Sequence, residues 1–259
     1  MEEVHLWRGS VEQQALRPQF GNSGHFSYFH EQLGYPQWRD KTVLDFGGNT
    51  GGLLLSPGCT IRAENYYCMD VLREALERGR QRSPQAHWIH FDRYNCSFNP
   101  EGVKDLRLPD LGVAFDMILA YSVFTHTTRE EMNDLVQQLK AQLAPGGVLA
   151  FTFIDPHFRA WAETYDGNNL QWRLERSREW NSQVDIERLL EESRNATWCA
   201  LVNGSELHLN ANGVWRNEAE ICMTYNVFYT AEFMQQEFPG AQIRPPVQGE
   251  MQHCCIIRS

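Results

Sequence analysis

The chain has 259 residues, 42% of them hydrophobic and 22% charged, which is enough apolar material for one α/β domain or for one such domain carrying an inserted cap. Acidic residues outnumber basic ones 33 to 23, and the resulting formal charge of −10 repels a phosphate backbone and argues against nucleic acid as a substrate. No apolar run reaches the roughly 20 residues of a membrane helix, and the seven cysteines show no CxxC spacing that would suggest a disulfide framework or a bound metal.

The amino terminus, Met1-Glu2-Glu3-Val4, lacks the basic and then apolar run of a signal peptide, so the expected setting is the cytoplasm. Residues 1–40 read as a helical lid in which His25, Phe26, Tyr28, Phe29 and His30 fall on overlapping faces before the Gly34-Tyr35-Pro36 break. Short apolar runs then follow at 42–46, 66–69, 87–91, 115–120 and 148–153. Their unbroken hydrophobicity suits strands buried on both faces of a parallel sheet. Helical spacing lies between them at 72–79 and at 129–143. In the second segment Met132, Leu135, Val136, Leu139 and Leu143 form one apolar stripe, which Pro145-Gly146-Gly147 is expected to end.

Regularity lapses after residue 154. The stretch 156–220 is rich in aromatics and reads as a cap over the sheet, with a helix at 184–192 and a hairpin around Asn203-Gly204. The last part, 221–259, is expected to return to the core through a strand at 221–227, a helix at 230–238 and a final strand at 254–258 that closes a hairpin. The fold expected from this order is α/β: a doubly wound, mainly parallel seven-stranded sheet over 41–155 and 221–259, with a cap inserted after the fifth strand.

Chemistry concentrates where the first strand ends, at Asp45-Phe46-Gly47-Gly48-Asn49-Thr50-Gly51-Gly52. An acid followed by a glycine cluster lets the backbone turn sharply and approach a ligand. The segment resembles the first motif of the class I S-adenosylmethionine-dependent methyltransferases, D-x-G-x-G-x-G, with Asn49 standing at the middle glycine. Asparagine is the side chain that best tolerates a left-handed backbone there. Four further segments match that family in order: 67–70 ending in Asp70, 91–93 with Asp92, 115–126 running into Tyr121, Phe124 and His126, and the Leu143-Ala144-Pro145-Gly146-Gly147 turn.

The resemblance implies the Rossmann-like methyltransferase fold and S-adenosylmethionine as cofactor. On this basis Asp45, Gly47, Gly48, Asn49 and Gly51 would approach its amino-acid part, Asp70 its ribose, Asp92 its adenine, and Tyr121 the pocket wall. His126 and His157 are the candidate general bases; Tyr28, Phe124, Phe158 and Trp161 are candidates for binding the acceptor. Each has a plainer alternative: Asp70 also suits a helix cap, and the aromatics also suit simple packing. The expected reaction is methyl transfer to a small molecule, by analogy a specialised metabolite, at oxygen or nitrogen, with oxygen slightly ahead because two histidines are at hand. A homodimer is among the allowed assemblies. Two other readings stay open here: a non-catalytic methyltransferase-like module, and a nicotinamide-dependent oxidoreductase, whose glycine loop would more usually read G-x-G-x-x-G.

Overall fold

The structure, a computed structural model, describes residues 25–95, 98–159, 165–179, 182–202, 206–209 and 225–259. Helix α1 (His25–Gln32) leads into β1 (Val43–Phe46), β2 (Tyr66–Asp70), α2 (Arg73–Arg82), β3 (His87–His90) and β4 (Phe115–Ala120). Helix α3 (Arg129–Lys140) and the long β5 (Leu143–Phe153) complete the regular alternation. An insertion follows, with α4 (Asn169–Arg178), α5 (Ile186–Ser193), β6 (Trp198–Val202), β7 (Glu206–Leu209) and β8 (Tyr225–Tyr229). The chain closes through α6 (Ala231–Glu237), β9 (Gln242–Arg244) and β10 (His253–Arg258).

Seven strands form one sheet in the order β3-β2-β1-β4-β5-β10-β9, and the first five are parallel. Strand β10 runs antiparallel to both β5 and β9, which is the closing hairpin expected from the sequence. Alternate residues of each central strand enter two separate cores. Leu44, Ile118, Leu149, Phe151, Cys255 and Ile257 pack with α3 and α6, whereas Val43, Met117, Leu119, Val148, Ala150, Cys254 and Ile256 pack with α1 and α2. Both faces of the sheet are therefore covered, which is why the strands read as continuous apolar runs.

Three local differences from the sequence reading have physical causes. Helix α3 ends at Lys140, and Leu143 belongs to β5, where it pairs with Phe115. The Pro145-Gly146-Gly147 turn does not stop the helix. It forms an irregularity within the β4–β5 ladder, where the register shifts between Phe115 and Met117. The strand expected at 221–227 is seen at Tyr225–Tyr229, and it pairs antiparallel with β6 in a separate three-stranded sheet, β7-β6-β8. One face of that small sheet, with Trp198, Ala200, Val227 and Tyr229, packs into the main core. The other face, with Cys199, Leu201 and Phe228, packs on α4 and α5. The insertion thus shares apolar burial with the parent sheet through Tyr229.

Candidate active site

The site is built at the carboxyl edge of the parallel strands, where an open α/β sheet presents a crevice to ligands. The loop after β1 is shaped by backbone alone: Asn49 sits at φ 53°, Gly47 at φ 74° and Gly51 at φ 81°. The Gly47 N–H donates to the Met69 carbonyl at 2.7 Å, drawing the loop onto the end of β2. At Gly48 a side chain is excluded, because a Cβ there would lie 2.6 Å from Asp45 Oδ2 and 2.7 Å from Cys68 Sγ. Main chain therefore packs directly against Asp45 and Cys68 at this point.

Asp45 lies directly behind the loop, 3% exposed, and accepts a hydrogen bond from the Tyr66 hydroxyl. Burial pushes its carboxyl up to about 7, against the opposing effect of the Tyr66 hydroxyl and with a further upward push from the Asp70 charge. Asp70 ends β2 and is the strut of the loop: its Oδ2 accepts the Asn49 N–H at 2.8 Å and its Oδ1 accepts the Leu72 N–H at 2.8 Å. Burial raises its pKa while these N–H groups oppose the rise. The Val71 N–H adds to them, and a carboxylate has about four acceptor positions, so capacity for one further donor remains.

Beside this strut opens a cavity of ≈ 370 Å³ lined by Val71, Leu72, Arg73, His90, Asp92 and Phe98, among others. Asp92 stands at its wall, exposed, and accepts from Asn99 Nδ2 at 3.0 Å. The glycine loop, Asp70 and Asp92 therefore follow one another along the ends of the neighbouring strands β1, β2 and β3.

Residues 44–149 match the family model described as a methyltransferase domain. That stretch runs from β1 into β5, the parallel part of the sheet. In its path the chain is similar to the glycopeptide N-methyltransferase MtfA complexed with S-adenosylmethionine, at 12% identity and a TM-score of 0.48, over 93% of this chain and 97% of that one. It is similar to an amino pentose methyltransferase from Micromonospora echinaspora involved in calicheamicin biosynthesis, at 18% identity and a TM-score of 0.47, over 98% and 95%. A third likeness is to the N-methyltransferase NodS from Bradyrhizobium japonicum WM9, at 20% identity and a TM-score of 0.39, over 57% and 72%.

The fold places the remaining expected residues unevenly. Tyr121, leaving β4, has its ring stacked on His25 with centroids 4.2 Å apart, and its hydroxyl donates to Glu250 Oε2 at 2.8 Å. Burial pushes its phenol pKa well up and drives that of His25 down to about 4, so the stacked histidine is neutral at pH 7. Tyr28, a candidate either for binding the acceptor or for simple packing, is fully buried and donates to the Gln252 carbonyl at 2.9 Å, so it anchors α1. Phe124 is likewise a core residue, fully buried and edge-on to Phe151 at 4.9 Å, because the turn after β4 points it back under the sheet.

Half-buried His126 offers its carbonyl to Asn95 Nδ2 at 2.9 Å and its ring to the edge of Phe98. His157 is exposed; its N–H donates to Asp155 Oδ1 at 2.9 Å and its ring meets the Ala196 carbonyl of the insertion at 3.3 Å. Phe158 is 40% exposed and rests edge-on against His253 at 4.7 Å. Trp161 lies outside the described residues.

Sequence reasoning missed the contribution of the closing hairpin. Because β10 is antiparallel, its first residues arrive at the same edge where β4 and β5 end, and they bring Glu250, Gln252 and His253 there. The Ser122 N–H donates to Thr152 Oγ1 at 2.7 Å, and that hydroxyl donates to Gln252 Oε1 at 2.6 Å. Only the reversed direction of the last strand could have pointed to these residues.

Proposed function

We propose that this chain is a methyltransferase that moves a methyl group to an oxygen or nitrogen of a small molecule, as a cytoplasmic enzyme. The observation that carries this reading is the glycine loop strutted on Asp70, next to a cavity that ends at Asp92. In it Asp70 holds a ribose hydroxyl with its remaining acceptor position, and Asp92 faces the adenine edge. The main chain of 47–51 lies along the amino-acid part, with Tyr121 and its Glu250 partner closing the inner side.

S-adenosylmethionine, when bound, supplies a methyl carbon activated by a positively charged sulfur. The task of the chain's own residues is to hold a nucleophile about 3–3.5 Å away and in line. For a hydroxyl acceptor, His126 is the proposed base, ahead of His157, whose ring is turned to the insertion. A small acceptor is the proposed substrate, with the insertion packed onto the main core through Trp198, Ala200, Val227 and Tyr229. Acceptors carrying many phosphates are disfavoured by the charge of −10.

Calorimetry with S-adenosylmethionine and S-adenosylhomocysteine tests the reading. Micromolar binding by the wild type, weakened about 10- to 100-fold in Asp70→Ala, is the expected result, since loss of hydrogen bonds to a charged group costs about 1.5–3 kcal/mol. A folded wild type that binds neither compound would sink it.

A further inference from the structure

The cavity of ≈ 370 Å³ beside Asp70 lies at the small end of the range of ligand pockets, about 300–1,000 Å³. Its lining is apolar at Val71, Leu72 and Phe98 and polar at Asp92 and Asn99, among others. Phe98, in the loop after β3, is 36% exposed, so a large ring at the cavity wall is left open to water. The same ring meets that of His126, in the turn after β4, with centroids 5.1 Å apart and planes at 81°. Phe98 therefore belongs both to the wall of a cavity and to the surroundings of the proposed base.

One amide ties the two main-chain segments together. Asn95 Oδ1 accepts the Phe98 N–H at 3.1 Å, and its Nδ2 donates to the His126 carbonyl at 2.9 Å. An oxygen bonded to an N–H and a nitrogen bonded to a carbonyl leave one orientation for the amide. Asn95 and Asn99 exchange main-chain bonds of 3.1 and 2.8 Å, and Asn99 Nδ2 donates to Asp92 Oδ1 at 3.0 Å. On the other side the His126 N–H donates to the Val123 carbonyl at 3.0 Å, and Phe124 of the same turn is fully buried. Main-chain positions are thus held, so a change at Phe98 reaches His126 through the rings.

We infer that Phe98 is a positioning residue: it packs against a purine ring taken into the cavity and in doing so orients the His126 imidazole. This rests on the reading in which the cavity receives the adenine end of the cofactor and His126 is the base; it adds the link between them. A flat heteroaromatic ligand matches the lining, with apolar side chains for its face and the Asp92 carboxylate for the N–H groups at its edge. A phenyl ring with an open side has more than one rotamer available. Covering that side with a second ring favours the rotamer that buries most apolar surface. The edge-to-face contact with His126 passes this preference on to the imidazole. A base has to lie within about 2.6–3.2 Å of the proton it takes, so His126 is brought into order only when the cavity is filled.

The test follows the ring signals of His126 by NMR in the full chain, assigned from their loss in His126→Gln, as adenosine is added to saturation. Adenosine is the probe because it carries the purine ring and neither sulfur nor an amino-acid part. In the wild type it should bind and shift the His126 signals. Phe98→Leu keeps an apolar side chain without the ring; it should abolish that shift and weaken adenosine about two- to tenfold, the loss expected of one aromatic pair. Phe98→Tyr restores a ring and should restore the shift. Adenosine that binds the wild type without moving His126, or that moves it equally in Phe98→Leu, would overturn the inference and leave the cofactor reading intact. Binding of S-adenosylhomocysteine with none of adenosine would overturn it too, because the purine ring is then not held by this cavity. A wild type that binds neither compound sinks both this link and the reading beneath it. Should the leucine variant fail to fold, nuclear Overhauser contacts in the wild type decide, from adenosine to Phe98 and from Phe98 to His126; their absence overturns the link.

Discussion

Asp45 and Asp70 are both buried acids at the ends of adjacent strands, yet their surroundings give them different work. Asp70 accepts backbone N–H groups, those of Asn49 and Leu72 among them, whereas Asp45 has the Tyr66 hydroxyl and the underside of Gly48. With its carboxyl raised from 3.8 to about 7, native Asp45 binds its proton more tightly than the unfolded chain does. Its contribution to stability is therefore full below about pH 4 and is lost as pH rises towards 7. Urea midpoints measured across that window should fall with pH in the wild type and fall less in Asp45→Asn, which cannot ionise. Tyr66→Phe removes a donor that favours the carboxylate, so its descending limb should move to higher pH; an unchanged limb would show that the hydroxyl does not govern this acid. Asp45, Asp70 and Asp92 were legible in the sequence because each ends an apolar strand and so must stand at the carboxyl edge. His253, Asn169 and Glu250 were not legible, because their partners are set by contacts such as Asn169 with Met251, 82 positions apart.

At the scale of elements, α2 and β3 are joined by one indole ring. Trp88 on β3 donates its N–H to the Ser83 carbonyl at 2.9 Å and so cannot slide, and its ring fills the space above Gly51 and Gly79. A Cβ on Gly79 would meet that ring at 2.1 Å. Gly79→Ala gains about 1 kcal/mol of helix propensity but forces an overlap worth about 1–3 kcal/mol. Denaturation should show a net loss of stability; a gain would mean that the ring moves freely. Helix α3 starts where its cap dictates: Thr128 Oγ1 accepts the Glu131 N–H at 3.1 Å, and Glu131 Oε2 accepts the Thr128 N–H at 2.8 Å. Thr128→Ala should cost about 1 kcal/mol in the same measurement. The element pattern up to β5 was readable from apolar periodicity. The end of α3 was not, because tertiary pairing of Leu143 with Phe115 overrides the helical spacing that Leu143 satisfies. The strand at Tyr225–Tyr229 read as sheet, but nothing local to it says which of two sheets it joins.

Over the whole molecule, the charge of −10 surrounds a sheet edge that already holds Asp155 and Glu250. If the acceptor is an amine, kcat/KM for it should fall as NaCl is raised from about 0.02 M to about 0.3 M, because a shorter Debye length screens the attraction. A neutral acceptor should show no such slope. The same edge is also where distant parts of the polypeptide meet. Tyr28 donates to the carbonyl of Gln252, Gln32 Nε2 donates to that of Pro245 at 2.8 Å, and Arg244 returns a bond to the carbonyl of Gln32. During translation the glycine loop and its acids emerge long before residues 244–253, so a nascent chain can form the first parallel strands before the partners of α1 exist. Chains that stall or are cut before the final hairpin therefore hold α1 without its latch.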